Sequence, residues 1–255
     1  MASLFRRAIR RLGRDLKDES GSLDTPIGKG IAGGRYKFVL QRNSGGNIVD
    51  IGVGKGEGII QANSGKIFFG IDRNESNLRI AAQNRSAFRG RLVHSDARRL
   101  PVRGADTITA FEIIEHIPRR EQAAFLTEVL NALKPEGTFF MSTPLDFGPV
   151  HTLNRHHWGK ELNLEQLRGM LEARFSQVEY YGVGKQPKKL GKKLLRRLQE
   201  FVSSVDFLQI RKKIIPSTIR SRVLTALHGN AEIQPLAKYL KTGTLPNNIL
   251  VVAKK

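Results

Sequence analysis

The chain has 255 residues, enough for one large domain or a domain with an appendage, and 40% of them are hydrophobic, which suffices for a core. It contains no cysteine, so disulfides, cysteine-ligated metal centres and thiolate nucleophiles are excluded. Lys and Arg number 43 against 23 Asp and Glu, and this net charge of +20 favours an anionic partner such as nucleic acid, lipid headgroups or a phosphorylated substrate. Without a membrane-spanning apolar run or a secretory signal, we expect a cytoplasmic protein.

The N-terminal region is strongly basic. Residues 1–17 predict a short amphipathic helix with leucines and isoleucine on one face and arginines on the other. Residues 18–46 are rich in Gly and Ser and predict no regular element. We therefore assign 1–46 to a basic helix and a linker.

From residue 47 onward, the hydrophobic pattern alternates between strands and helices. It predicts strands at 47–51, 66–71, 91–94, 106–111, 137–142, 177–182 and 248–253. It predicts helices at 58–62, 75–88, 119–133 and 164–173, the last of them opened by Asn163. This alternation indicates a doubly wound, mostly parallel sheet.

The stretch 183–247, between the last two predicted strands, is much longer than an ordinary connection. Within it, residues 185–227 combine leucines at helical spacing with a strong excess of Lys and Arg, which predicts a basic amphipathic helix. Three interpretations remain open: a helical cap on the domain, an interfacial membrane helix and a nucleic-acid contact. The predicted organisation is thus 1–46, a core at 47–182, an insertion at 183–247 and the last core strand at 248–255.

The sharpest motif is a glycine-alternating loop after the first strand. Gly52, Gly54 and Gly56 stand where a tight turn allows a ligand to lie against bare backbone. Asp72 ends the second strand, about 20 residues downstream, where an acid suits a pair of ribose hydroxyls. Glu57 stands where the dinucleotide fingerprint requires its third glycine, so the pattern favours a ligand with a ribose and no phosphates.

Two further motifs follow in register. Asp96 and Ala97 come after the third strand, and the sequence Phe-Glu-Ile-Ile-Glu-His follows the fourth at 111–116. With the glycine loop, these stretches resemble class I S-adenosylmethionine (SAM)-dependent methyltransferases of the small-molecule and glycan type, including ubiquinone-biosynthesis O-methyltransferases. The resemblance covers about 45–182 and the last strand. It implies an α/β, Rossmann-like methyltransferase fold: a doubly wound, seven-stranded, mostly parallel sheet with an antiparallel final strand, here preceded by the basic helical insertion.

The resemblance also implies cofactor contacts for residues at the ends of four strands: Asp50, Gly52, Gly54, Gly56, Asp72, Asp96, Ala97, Phe111 and Glu112. The glycines would line the methionine and ribose portions of SAM, and Asp72 would bind the ribose hydroxyls. Asp50 would hold the loop and meet the methionine ammonium, directly or through water. Asp96 would accept a hydrogen bond from the adenine amino group, beside the Ala97 backbone. Phe111 and Glu112 would border the methionine end.

Methyl transfer to a hydroxyl calls for a proton acceptor near the incoming oxygen, and histidine suits this role at neutral pH. His116 follows the fourth strand, at the sheet edge where ligands bind, and Glu115 is either a rival acceptor or its orienting partner. The loop after the fifth strand holds His151, His157 and the only tryptophan, and we predict substrate contact there. We predict no metal site, because adjacent histidines without a nearby pair of carboxylates fit no standard zinc spacing.

Together these features predict a SAM-dependent methyltransferase that O-methylates a small-molecule, lipid or glycan acceptor near the cytoplasmic membrane face. Residues 1–17 and 185–227 would contact an anionic membrane surface. The alternative is an rRNA or tRNA methyltransferase that uses the same basic stretches to bind phosphates. A third hypothesis, a binding protein without catalysis, is disfavoured by the intact glycine loop and its acidic partners.

Overall fold

The structure, a computed structural model, describes residues 26–43, 46–56, 58, 67–83, 89–145, 162–183, 233–241, 246 and 248–255. Several predicted features lie outside these residues. They are the basic helix at 1–17, all but the first residue of the helix at 58–62, the loop with His151 and His157, and the basic stretch 185–227.

The strands of the described residues form a single mixed sheet. In chain order they are β1 (Ile48–Ile51), β2 (Ile67–Asp72), β3 (Arg89–His94), β4 (Ala105–Phe111), β5 (Leu133–Pro144), β6 (Gln177–Val183), β7 (Ile233–Pro235) and β8 (Asn248–Lys254). Their spatial order is β3-β2-β1-β4-β5-β8-β6-β7. β1 to β5 pair in parallel, whereas β8 runs antiparallel to both neighbours, β5 and β6. The predicted doubly wound, mostly parallel sheet with an antiparallel final strand is confirmed.

Within the described residues the sheet has eight strands, one more than the seven predicted. β7 lies within 183–247, which the sequence assigns to a helical insertion, and it pairs antiparallel with the end of β6. Helix α5 (Leu236–Lys241) follows β7. In α5, Tyr239 is buried with its ring against Gly182, where a Cβ would lie only 2.4 Å from Tyr239 Cε2. Residues 233–241 therefore pack on the core. The sequence does not predict β7, because a strand of three residues is too short to show an alternating hydrophobic pattern.

The other helices in the described ranges are α1 (Pro26–Arg42), α2 (Glu75–Gln83), α3 (Arg119–Ala132) and α4 (Leu164–Glu172). A 3₁₀ turn spans Ile114–His116. The last three helices begin at their predicted residues. The N-terminus of α4 carries a capping box, in which Asn163 Oδ1 accepts from the Gln166 amide at 2.9 Å and Gln166 Oε1 accepts from the Asn163 amide at 3.3 Å.

Helix α1 lies in the stretch that the sequence assigns to a linker. Its glycine content lowers helix propensity, so local signals do not predict it. Packing stabilises it instead: Tyr36 packs in one apolar cluster with β1 and β2, and Phe38 and Val39 pack in another with residues of β5, β6 and β8. Tyr36 and Phe38 are two positions apart and lie on different sides of the helix, so α1 is buried in two separate clusters, and this burial compensates for the weak propensity.

The parallel register brings the carboxyl ends of the central strands together. Ile51, the last residue of β1, lies beside Ile71 of β2 on one side and Ala110 of β4 on the other. The segments that follow these strands therefore leave the sheet at the same edge, which is where open α/β sheets bind their ligands.

Candidate cofactor-binding cleft

A cleft of about 550 Å³ opens at this edge, a size typical of small-molecule sites. Many of the residues predicted to form the site line it: Gly52, Gly54, Asp72, Asp96, Ala97, Phe111, Glu112 and His116. Asp50, Gly56 and Glu115 are not among the lining residues. The first segment after each of β1 to β4 thus contributes to a single cavity.

The glycine loop fits closely against the end of β2. The amides of Gly52 and Val53 donate to the Ile71 carbonyl at 2.7 and 3.1 Å. Gly52 and Gly54 have φ of +76° and +55°, in the region that favours glycine. A Cβ on Gly52 would lie 2.0 Å from Ile113 Cδ1, whereas a Cβ on Gly54 would meet no atom nearer than 4.0 Å. The side of Gly54 that lacks a side chain is therefore open space in the cleft wall.

Asp72 is held in place by backbone amides. Its Oδ2 accepts from the Gly54 amide at 2.8 Å, and its Oδ1 accepts from the Asn74 amide at 2.7 Å. A carboxylate offers about four acceptor positions, so each oxygen retains capacity for a further donor. Because Asp72 also lines the cleft, it can accept from a diol such as the ribose hydroxyls.

Asp96 is engaged by an arginine that the sequence analysis did not single out. Asp96 Oδ1 accepts from the Arg98 amide and Nε at 2.9 and 2.8 Å, and Oδ2 accepts from Arg98 Nη2 at 2.6 Å. These bonds lower the pKa of the Asp96 carboxyl to about 2. The Arg98 guanidinium also pairs with Glu121 in the first turn of α3. Oδ2 therefore keeps an acceptor position on an ionised carboxylate whose orientation is fixed.

Asp50 does not reach the cleft lining. Its side chain is buried, and its oxygens accept from Tyr36 Oη and Thr109 Oγ1, each at 2.6 Å. Burial raises the pKa of the Asp50 carboxyl to about 6, against the opposing effect of these two hydroxyl donors. The predicted direct contact with a ligand ammonium does not fit this placement. Asp50 instead connects β1 to α1 through its hydrogen bond with Tyr36. The sequence could not predict Tyr36 as the partner of Asp50, because no regular element was predicted for its segment.

Gly56 is a second predicted residue that does not line the cleft. Its φ is +79°, and its amide donates to the Val53 carbonyl at 3.0 Å, which closes the turn between the two residues. Gly56 therefore shapes the loop, and its contact with the cofactor stays a prediction. Gly56 is buried by the protein itself.

Glu112 has an unusual backbone and several partners. Its φ is +57°, in the left-handed region that non-glycine residues rarely adopt. Its Oε1 accepts from Arg35 Nη2 at 2.9 Å, Ser142 Oγ at 2.8 Å and Asn248 Nδ2 at 3.1 Å. The donors come from α1, β5 and β8, so no local sequence pattern could have predicted them.

Glu115 and His116 point to different environments although they are adjacent. Glu115 is fully buried and its Oε2 accepts from Thr143 Oγ1 at 3.1 Å, while Oε1 has no partner among the described residues. Burial, together with the nearby charge of Glu112, raises the pKa of the Glu115 carboxyl well above its usual range. His116 is exposed and lines the cleft. Of the predicted proton acceptors, the structure thus brings His116 to the cleft and places Glu115 in the core. His151 and His157, which we predict to contact the substrate, lie outside the described residues.

Comparison with known proteins agrees with this geometry. Residues 48–137 match the model of the family described as "Methyltransferase domain". A protein of Mycolicibacterium smegmatis named "Probable S-adenosylmethionine-dependent methyltransferase" is 30% identical over 162 residues, which are 58% of this chain and 61% of that protein. The match therefore spans about three-fifths of the relative's length. Residues 48–137 are thus similar to a methyltransferase domain, and 58% of the chain is similar to the Mycolicibacterium protein.

Solved structures show the same fold. A SAM-dependent methyltransferase from Archaeoglobus fulgidus superposes with a TM-score of 0.57 at 16% identity, covering 89% of this chain and 94% of that one. Phosphoethanolamine N-methyltransferase 2 of Haemonchus contortus, in complex with SAM, superposes with a TM-score of 0.54 at 18% identity, covering 95% of this chain and 59% of that one. Both comparisons establish the Rossmann-like methyltransferase fold of this chain.

Proposed function

We propose that this protein binds SAM in the cleft and transfers its methyl group to an acceptor that approaches on the side of His116. The observation that carries the proposal is the open wall at Gly54, which lies beside a diol acceptor, Asp72. Bound SAM supplies a methyl group on a sulfonium, which is an activated donor. The remaining work of the protein is to hold this donor, to align the acceptor and to receive a proton.

The polar groups of the cleft suit a nucleoside without phosphates. The free acceptor positions of Asp72 match ribose hydroxyls, and that of Asp96 Oδ2 matches the adenine amino group. Glu57 stands where a dinucleotide-binding loop has its third glycine, which disfavours a pyrophosphate at this position. The motif at the ends of these strands therefore fits SAM better than a dinucleotide.

His116 is the residue of the cleft that we assign to proton transfer. An imidazole can accept the proton of an incoming hydroxyl while the new oxygen–carbon bond forms. We expect His116→Ala to lower the turnover number by about 10²–10⁴ with little change in SAM affinity, because the side chain lies on the acceptor side. Single-turnover kinetics and a binding titration on the same variant check this. Near-normal turnover would instead mean that alignment of the acceptor suffices.

For the acceptor, we propose a small-molecule, lipid or glycan hydroxyl presented near an anionic membrane surface. The support is the basic amphipathic pattern of residues 1–17 and 185–227. None of the helices in the described ranges has both the length and the apolar composition needed to cross a bilayer. The alternative remains an RNA acceptor, for which the same residues would bind phosphates.

The experiment that tests the function uses SAM with a labelled methyl group. The full chain is incubated with separate lipid, glycan and RNA extracts, and the labelled product is identified by mass spectrometry. We expect label in the lipid or glycan fraction and an equal yield of S-adenosylhomocysteine. Label that is released by ribonuclease would establish the RNA alternative. Labelled product in none of the fractions, together with no binding of SAM, would contradict the proposed function.

A further inference from the structure

Helix α1 reaches the methionine end of the proposed site through two consecutive residues. Arg35 Nη2 donates to Glu112 Oε1 at 2.9 Å, and its guanidinium lies 5.8 Å from the centre of the Phe111 ring. Tyr36 donates to Asp50 and packs edge-on against the same Phe111 ring, with the ring centres 5.1 Å apart. One turn of α1 thus contacts both Phe111 and Glu112, which line the cleft.

In the Arg35–Glu112 ion pair, Arg35 is withdrawn from water and Glu112 is partly exposed. The Arg35 side chain is 8% exposed, and that of Glu112 is 33% exposed. A buried pair is sensitive to the loss of either partner, because the remaining charge is left without compensation. The geometry of Glu112 therefore depends on Arg35 more than a surface ion pair would.

The backbone of Glu112 needs such support. A left-handed conformation is strained for a non-glycine residue and persists only where its surroundings impose it. Here the Glu112 amide donates to the Ser142 carbonyl at 2.9 Å, and the carboxylate is held from α1, β5 and β8. β4 ends at Phe111, immediately before this left-handed residue, and Glu112 lines the cleft.

The two carboxylate oxygens of Glu112 are used unequally. Among the described residues, Oε1 accepts from three side chains, whereas Oε2 accepts from Asn248 Nδ2 alone, at 3.1 Å. Oε2 therefore retains an acceptor position on a residue that lines the cleft. A carboxylate oxygen of this kind suits a cationic amino group, and charge-assisted hydrogen bonds are stronger than neutral ones.

We propose that Glu112 Oε2 binds the cationic α-amino group of the methionine portion of SAM, and that Arg35 is the positioning residue that holds Glu112 for this contact. The inference rests on the proposed function and assigns the ammonium contact to Glu112, because Asp50 has both oxygens turned to hydroxyl donors in the core. It also gives α1 a role in the site.

The test compares two ligands that differ in the amino-acid portion alone. S-adenosylhomocysteine carries the α-amino group, and 5′-methylthioadenosine lacks it. Glu112→Gln keeps the size of the side chain but removes its charge, and we expect it to weaken S-adenosylhomocysteine binding roughly 10- to 100-fold with methylthioadenosine binding unchanged. Arg35→Met should reproduce this selective loss, and Arg35→Lys, which retains a donor for Oε1, should restore part of it.

Arg42→Met is the matched control on the same helix. Arg42 stacks on Phe38 at 3.6 Å from the ring centre and donates to Tyr181 Oη at 3.3 Å, away from the cleft. We expect this variant to bind both ligands as the native chain does, and thermal unfolding of each variant shows whether it is folded.

The outcomes separate this inference from the proposed function. If the native chain binds neither ligand, the proposed function fails and the inference with it. If the native chain binds both ligands but Glu112→Gln and Arg35→Met weaken both equally or neither, the inference alone is overturned. Tighter binding of S-adenosylhomocysteine by Arg35→Met would also overturn it, because Arg35 would then only neutralise Glu112.

Discussion

Asp50 carries a carboxyl group that the fold buries between two hydroxyl donors, and its ionisation is therefore linked to stability. Burial raises the pKa from 3.8 to about 6, so between these values an unfolded chain loses the proton that the folded chain keeps. The contribution of Asp50 to the free energy of unfolding consequently falls as the pH rises from about 4 to 6, by on the order of 3 kcal/mol.

We predict that Asp50→Asn makes the free energy of unfolding less dependent on pH in this window. An asparagine side chain cannot ionise, and its amide can still bond with Tyr36 and Thr109. Chemical denaturation at pH 4, 5, 6 and 7 measures the difference between the variant and the native chain. Equal pH dependence for the two proteins would mean that Asp50 titrates in the folded chain as it does in the unfolded one.

At the scale of single elements, α4 offers a prediction that separates stability from binding. Asn163→Ala removes the hydrogen bond that the Asn163 side chain accepts from the Gln166 amide, and we expect the free energy of unfolding to fall by about 0.5–2 kcal/mol. Asn163→Ser keeps a capping oxygen and should lose much less. Because α4 contributes no lining residue to the cleft, the affinity for S-adenosylhomocysteine should not change in either variant. An equal loss of stability in both variants would contradict the role of the cap.

The elements with strong local signals were predictable from the sequence. The start of α4 followed from Asn163 and the apolar spacing after it, and the edge that carries Asp72 and Asp96 followed from the alternation of strands and helices. Helix α1 was not predictable, because its glycines lower the helix propensity of the segment, although Phe38 and Val39 are buried in a cluster with strands of the sheet.

The partners of the site residues were harder to predict than the residues themselves. Arg35 and Asn248 meet at Glu112 although they lie far apart in the chain, and nothing in the spacing of the motif indicates either. Nor does the spacing of the motif indicate that Tyr36 donates a hydrogen bond to Asp50. A motif fixes which residues follow a strand, whereas their burial and hydrogen bonds depend on the whole sheet.

At the scale of the whole molecule, the excess of positive charge predicts salt-sensitive binding to anionic lipid. Each basic residue near an anionic leaflet contributes on the order of 1 kcal/mol, and salt screens this attraction beyond about 8–10 Å. We expect the full chain to sediment with anionic vesicles at low salt, to be released by added salt and to bind neutral vesicles poorly.

The matched variant for this prediction reverses four charges in 185–227: Lys192, Lys193, Arg196 and Arg197 to Glu. It should bind anionic vesicles more weakly than the native chain at the same ionic strength. If both proteins remain in the supernatant with anionic vesicles at low salt, the membrane proposal is wrong.

The central claim is that SAM lies against the bare backbone of the glycine loop. Gly54→Val would fill the open wall of the cleft but would also strain the backbone, because a β-branched residue is unfavourable at a φ of +55°. A loss of binding in that variant would therefore have two possible causes. Asparagine tolerates the left-handed region, so Gly54→Asn adds a side chain to the open wall with little strain. Gly104→Asn is its control, since Gly104 has a φ of +72° and open space around it, outside the cleft lining.

The most direct measurement is therefore calorimetric titration of S-adenosylhomocysteine into the native chain, Gly54→Asn and Gly104→Asn. We predict that the native chain and Gly104→Asn bind with equal affinity and that Gly54→Asn does not bind, although all three unfold cooperatively. Unchanged affinity in Gly54→Asn would contradict the placement of the cofactor against the glycine loop.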